Sequence, residues 1–179
     1  YLIENHWQDE RLLASSRDGK AQLNAYLDDY IYLIDALLAL LQARWRSDYL
    51  DFAVALGQCL LDHYEDPESG GFFFTSDDHE TLLHRPKPLT DDATPSGNGV
   101  AIEALQELAL LSGETRLQQA AERAVQAAWA SAASVGAPIL SIDMPPRALV
   151  DFRNRRREIE VVSFIPSALF LFCRSNYHS

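Results

Sequence analysis

The sequence predicts an all-α fold of helix hairpins with one small β-hairpin inserted between them. Three observations carry this. Apolar residues recur at helical spacing in four long segments; the second two segments repeat the plan of the first two; and a Phe-, Gly- and Pro-rich stretch separates the pairs.

From Asp29 to about Arg44, apolar side chains fall at Tyr30, Leu33, Ile34, Leu37, Leu38 and Leu41, the i, i+3, i+4 pattern of a helix. The other side carries Ile31, Ala36, Ala39 and Leu40, so the segment predicts an inner helix buried all round. The next helix, Asp48 to Tyr64, has a polar stripe at Asp51, Gln58 and Asp62 opposite Leu50, Phe52, Leu56, Leu60 and Leu61. It reads as an outer helix with one wet face.

The plan recurs 67 positions later, where Leu105 and Leu108 stand as Leu38 and Leu41 do, and Leu117 stands as Leu50 does. Asn98 to Ser112 is the second inner helix, ended by Gly113. Arg116 to Ala132 is the second outer helix, with Gln118, Gln119, Glu122, Arg123 and Gln126 on its polar side. Repeated inner-then-outer hairpins mean a solenoid or a closed α/α toroid.

Between the pairs, Phe72–Thr75 and Leu82–His84 favour strands around SDDHE, which predicts the β-hairpin. Pro86, Pro88 and Pro95 stop further helix or ladder formation. Near the end, Glu158–Phe164 reads as a short strand and IPSALFLF as a short apolar helix.

Composition narrows the function classes. At 179 residues, with 47% hydrophobic and 10% aromatic content, the chain has the makings of one core-forming domain. Its 26 acidic against 15 basic side chains give a net charge of -11, which repels phosphate backbones and argues against nucleic acid as a partner. The local exception, Arg153 and Arg155 to Arg157, reads as a solvated turn. Cys59 and Cys173 stand far apart with no CxxC and no His at metal spacing. Reduced thiols, a cytoplasmic location, no metal and no cofactor are the expectations. The longest apolar run, YIYLIDALLALL, is too short for a bilayer and is broken by Asp35; no signal peptide is visible. A chain that opens on Tyr1 rather than Met is consistent with a piece of a longer protein.

The reactive groups concentrate in residues 76–101, SDDHETLLHRPKPLTDDATPSGNGVA. In a helical toroid, inner-helix N-termini surround a cavity, and their free N–H groups favour ligand oxygens. Both inner helices here open on polar groups, Asp28, Asp29 and Tyr30 in one and Ser96 and Asn98 in the other. Asp78, His79, Asp29 and Asp92 are the candidate acid/base residues; Tyr30, Arg85, Lys87, Ser96 and Asn98 are the candidate substrate-binding residues. Each has a plainer reading. Asp28, Asp29 and Ser96 suit helix caps, Asp77 and Asp78 suit a turn, and Arg85 and Lys87 suit surface ion pairs. Together they suit a polyhydroxylated ligand, since carboxylates bind sugar hydroxyls and aromatic faces stack on sugar rings. Glycosidic cleavage needs two carboxyls and epimerisation needs a base beside a carbonyl. Sequence spacing leaves both open.

The stretches AYLDDYIYLIDALLAL and GGFFFTSDDHETLLHRPKPLTDDATPSGNGVAIEAL carry a family resemblance. The chain resembles the C-terminal helical region of the thioredoxin-domain-containing proteins typified by the spermatogenesis-associated thioredoxin-like proteins, from about Arg11 to about Val162. That resemblance implies part of an (α/α)6 toroid, similar to N-acylglucosamine 2-epimerases and six-hairpin glycosidases. It sets a partial toroid domain at 1–164 and a divergent tail at 165–179. A carbohydrate ligand is the implied partner. An exposed apolar inner helix would be covered by self-association or by further hairpins.

Overall fold

Four long helices lie where the periodicity places them. The computed structural model describes residues 1–79 and 84–134, all within the unit Tyr1–Ala137. The helices are α2 (Leu27–Ala43), α3 (Ser47–His63), α4 (Gly97–Ser112) and α5 (Thr115–Ser134), preceded by a single turn, α1 (Leu2–Asn5). α3 packs on α2, α5 packs on α4, and α2 lies along α4, so two hairpins stand side by side with their inner helices in contact.

The core forms where the repeat brings large apolar side chains together. Ile31, Ile34 and Leu38 of α2, Leu56 and Leu60 of α3, Leu105 and Leu108 of α4, and Leu117 of α5 are all buried. α5 otherwise buries alanines, at positions 120, 121, 124 and 127. Gly113 ends α4 at φ +80°, a left-handed conformation that glycine adopts without strain. Its N–H donates to the Ala109 carbonyl at 2.8 Å.

The expectation that α2 is buried all round is corrected among the described residues, because Tyr32 and Leu40 are exposed. No described helix is long and apolar enough to cross a membrane.

The β structure differs in place from the expectation. A three-stranded antiparallel sheet, β1 (Trp7–Gln8), β2 (Arg11–Arg17) and β3 (Lys20–Asn24), opens the chain in the order β1-β2-β3. Asp18 and Gly19, at φ +54° and +75°, make the tight β2–β3 turn, where paired positive φ values match the strand twist. The sheet is tied to the helices by Leu12, whose N–H donates to Tyr30 Oη at 2.8 Å, and by Trp7, edge-on to Phe52 with ring centroids 5.5 Å apart.

Phe72–Thr75, expected as a strand, makes only one isolated bridge, Glu65 to Phe72. Its amides have other acceptors: Asn98 Oδ1 for Phe72, Tyr64 O for Phe73 and Pro86 O for Phe74. Leu82 and Leu83, with Cys173, the arginine run and the C-terminal strand and helix, lie outside the described residues.

Asn98 holds this connection. Only 1% exposed, its side chain accepts from Phe72 N–H at 2.7 Å and donates to Phe72 O at 2.9 Å and Pro88 O at 2.8 Å. Replacing it strands buried backbone groups, each costing about 1–3 kcal/mol. Asn98→Ala is therefore expected to lower unfolding free energy by at least about 2 kcal/mol, measured by urea denaturation. A loss within the range of ordinary surface substitutions would show that water replaces the amide.

Candidate functional site

Residues 72–79 are drawn across the end of the helix pairs by backbone hydrogen bonds. Leu27 N–H donates to Phe74 O at 3.0 Å, fixing the segment to the start of α2. Asp77 N–H donates to His63 O at 2.9 Å, fixing it to the end of α3. Arg85 braces both: its guanidinium donates to the His63 and Thr75 carbonyls and lies over the Phe73 ring, 4.3 Å from the centroid. Lys87 donates to Asp66 at 2.8 Å and to Gly70 O at 2.9 Å. The Lys87 bond holds the Asp66 carboxyl below the ordinary aspartate range, although burial opposes it.

The rim so formed carries four reactive groups. His63 Nδ1 lies 2.8 Å from Asp77 Oδ1. Asp78 receives both arms of Arg11, at 2.6 and 2.8 Å. That paired bond holds the Asp78 carboxyl below its ordinary range against the opposing effect of burial, with Ser76 contributing further. His79 sits beside Tyr26, ring centroids 5.8 Å apart, and Tyr26 in turn stacks on Phe74 at 4.9 Å. One ligand atom from each of His63, Asp77 and Asp78 lies within 4.8 Å of the other two.

Asp28 is the unusual acid. Its Oδ1 is buried without a hydrogen-bond partner among the described residues. Burial, and then the charge of Asp29, push its carboxyl above the ordinary range. The atom packs against Gly97, where any Cβ would collide with it, so the N-termini of α2 and α4 touch through this carboxylate. Tyr32 closes the same junction by donating to Pro95 O at 2.7 Å.

The residues singled out from sequence divide sharply. Asp78 is paired with Arg11, and His79 lies beside Tyr26. Asp29 accepts from Tyr26 N–H at 2.8 Å and Ser96 accepts from Gly99 N–H at 3.1 Å, so both cap helices. Arg85, Lys87 and Asn98 are spent on the scaffold, as above. Asp92 is exposed in the loop before α4, apart from these contacts.

Tyr30 corrects its assignment as a stacking platform. It is fully buried, with its ring against Tyr64 at 5.3 Å and its oxygen accepting from Leu12 N–H and the Cys59 thiol. Burial drives the Tyr30 phenol far above its ordinary pKa and pushes Tyr64 up to about 12. Three rim residues were missed: Arg11, His63 and, beyond a capping role, Asp28. Arg11 sits on an unpredicted strand 67 positions from its partner, and His63 reads in sequence only as the last turn of an outer helix.

The fold is that of part of an α/α toroid. Among solved structures, the chain is similar to the cellobiose 2-epimerase from Spirochaeta thermophila DSM 6192, with a TM-score of 0.52 and 22% identity over 69% of this chain and 33% of that one. The chain thus spans about one third of the epimerase's length. No family model matches the sequence, and no curated protein matches it.

The shifted acids predict opposite pH behaviour. A raised aspartate pKa means that the folded state favours the protonated form, so the Asp28 cost is absent at low pH and grows as pH rises through its folded pKa. Asp66 and Asp78 are depressed, so their stabilisation is present above about pH 4 and is lost as pH falls further. Asp28→Asn is expected to raise the melting temperature at neutral pH and to have little effect at acid pH. Melting curves recorded across that range check the sign, and a lower melting temperature at neutral pH would refute it.

Proposed function

We propose that this domain binds a carbohydrate at the rim formed by Asp28, Tyr26 and residues 76–79, and performs acid/base chemistry on it of the epimerase, isomerase or glycoside-hydrolase kind. The observation that carries the reading is a pair of carboxyls whose environments push them apart. Asp28 is kept protonated to higher pH by burial, while Asp78 is kept ionised by Arg11. Opposite shifts of this kind suit one carboxyl to the role of acid and the other to that of anion. Asp28 would donate the proton, Asp78 would stabilise developing positive charge, and His79 is the base candidate. Tyr26, exposed on one face and stacked on Phe74, takes the sugar-platform role first given to Tyr30. Asp92 remains a candidate contact from the neighbouring loop. The toroid fold shared with a cellobiose 2-epimerase supports a sugar over other small molecules.

A non-catalytic sugar-binding module is the second reading. It is favoured by Arg11, whose paired bond to Asp78 removes much of the free anionic character that turnover would use. A place beside a thioredoxin-like domain, as the family resemblance implies, belongs to the same proposal. So does covering of the exposed Tyr32, Leu40 and Leu110 by further hairpins or a second copy.

The test is thermal shift with mono- and disaccharides, cellobiose included, followed by proton NMR of the sugar in deuterated buffer. Ligand binding to the folded state raises the melting temperature by mass action. Tyr26→Ala is expected to abolish the shift. Asp28→Asn is expected to keep the shift and lose deuterium incorporation or cleavage. A shift without any product in the wild type selects the binding module. Absence of any shift from a cooperatively melting chain removes both readings.

A further inference from the structure

The rim holds a second chemistry, centred on His63, that shares Asp77 and Asp78 with the sugar reading. His63 closes α3, and the hydrogen bond from Asp77 N–H to its carbonyl brings Asp77 and Asp78 beside its ring. Ligand atoms at the usual distances from a zinc-type ion are separated from one another by roughly 3–4 Å. One imidazole nitrogen and one oxygen from each carboxylate lie within 4.8 Å here, with His63 Nδ1 and Asp77 Oδ1 already 2.8 Å apart. We propose that His63, Asp77 and Asp78 form a binding site for a divalent first-row transition cation.

The surroundings favour ligation. Arg11 takes one lone pair on each oxygen of the Asp78 carboxylate, and since a carboxylate offers about four such sites, about two remain for an ion. Two carboxylates against one guanidinium leave the cluster with net negative charge, which a divalent cation offsets. The mixed nitrogen and oxygen donors suit zinc or manganese better than magnesium, which prefers oxygen alone.

An independent observation points to a bound group. Ser76 is 1% exposed, and its hydroxyl oxygen has no hydrogen-bond partner among the described residues. Ser76 immediately precedes Asp77 and Asp78 in the chain, at the edge of the cluster. Buried hydroxyls are normally satisfied. A water on the cation would be the missing partner, in the way that outer groups orient metal ligands. The frame is also fixed in advance, since Arg85 donates to the carbonyls of both His63 and Thr75. Three protein ligands leave a coordination position open to water or to a ligand oxygen. The inference rests on the donor set and on Ser76, and stands whether or not the rim acts on a sugar.

The experiment is calorimetric titration of the full chain, first stripped with chelator, with zinc chloride and with manganese chloride. Loss of the free-manganese EPR signal gives a second readout. One site per chain is expected. His63→Ala and Asp77→Asn should each weaken it at least about tenfold, the scale on which even outer-sphere changes act. His84→Ala, at an exposed loop histidine, should leave affinity unchanged. Asp78→Asn also breaks the Arg11 pair, so Asp77→Asn, with a melting curve to show that it folds, carries the decision. No binding of either ion, or equal affinity in the wild type and in folded His63→Ala and Asp77→Asn, would overturn the site.

Discussion

A single buried amide sets the geometry on which the rest of this structure depends. Asn98 meets both backbone groups of Phe72 as a neighbouring strand would, and its remaining donor reaches Pro88 O. A long connection rich in proline and phenylalanine cannot satisfy its own backbone groups, and buried groups left unpaired are costly. With Phe72 and Pro88 held to the first turn of α4, residues 73–79 run across the ends of α2 and α3. The bonds from Leu27 to Phe74 and from Asp77 to His63 follow from that path. The rim is therefore a property of the connection's anchoring as much as of the residues it displays.

The same economy explains why the helices were legible and the sheet was not. Leu38, Leu41, Leu105 and Leu108 repeat at one spacing because each pair meets the same inner-helix environment, and all four are buried. Periodicity reports burial on one face, which these helices have. In β2 the polar residues Ser15, Ser16 and Arg17 obscure alternation, because only Leu12 of that strand is fully buried. The Asp18-Gly19 turn was the available signal. The Phe72–Thr75 misreading has the opposite cause: strand-favouring side chains are present, but their amides bond to a side chain, a helix end and a proline carbonyl.

Legibility of the site stopped at residue type. Sequence marked out 76–79 and the starts of both inner helices, and those segments do meet. It did not reveal which polar groups the fold would consume. Asp29 and Ser96 went to caps, Lys87 to Asp66, and Asn98 to the backbone. Asp28, one residue from a cap, gained its shifted acidity first through burial against a helix distant in sequence and then from the charge of Asp29. Pairings such as Arg11 with Asp78 arise from chain crossing, and no local pattern encodes them.

The alanine face of α5 has a consequence of its own. Ala120, Ala121, Ala124 and Ala127 are buried, and methyl groups have no rotamers to lose when a surface closes over them. Apart from Leu117, the outer helix of the second hairpin therefore seats with few side-chain rotamers to fix and a small entropic penalty. Bulkier faces must choose among many interlocking arrangements, whereas this one admits a single depth of approach. The second hairpin thus behaves as a prefabricated part, cut to a fixed spacing, and growth of any of those four methyls would hold the whole unit off its seat.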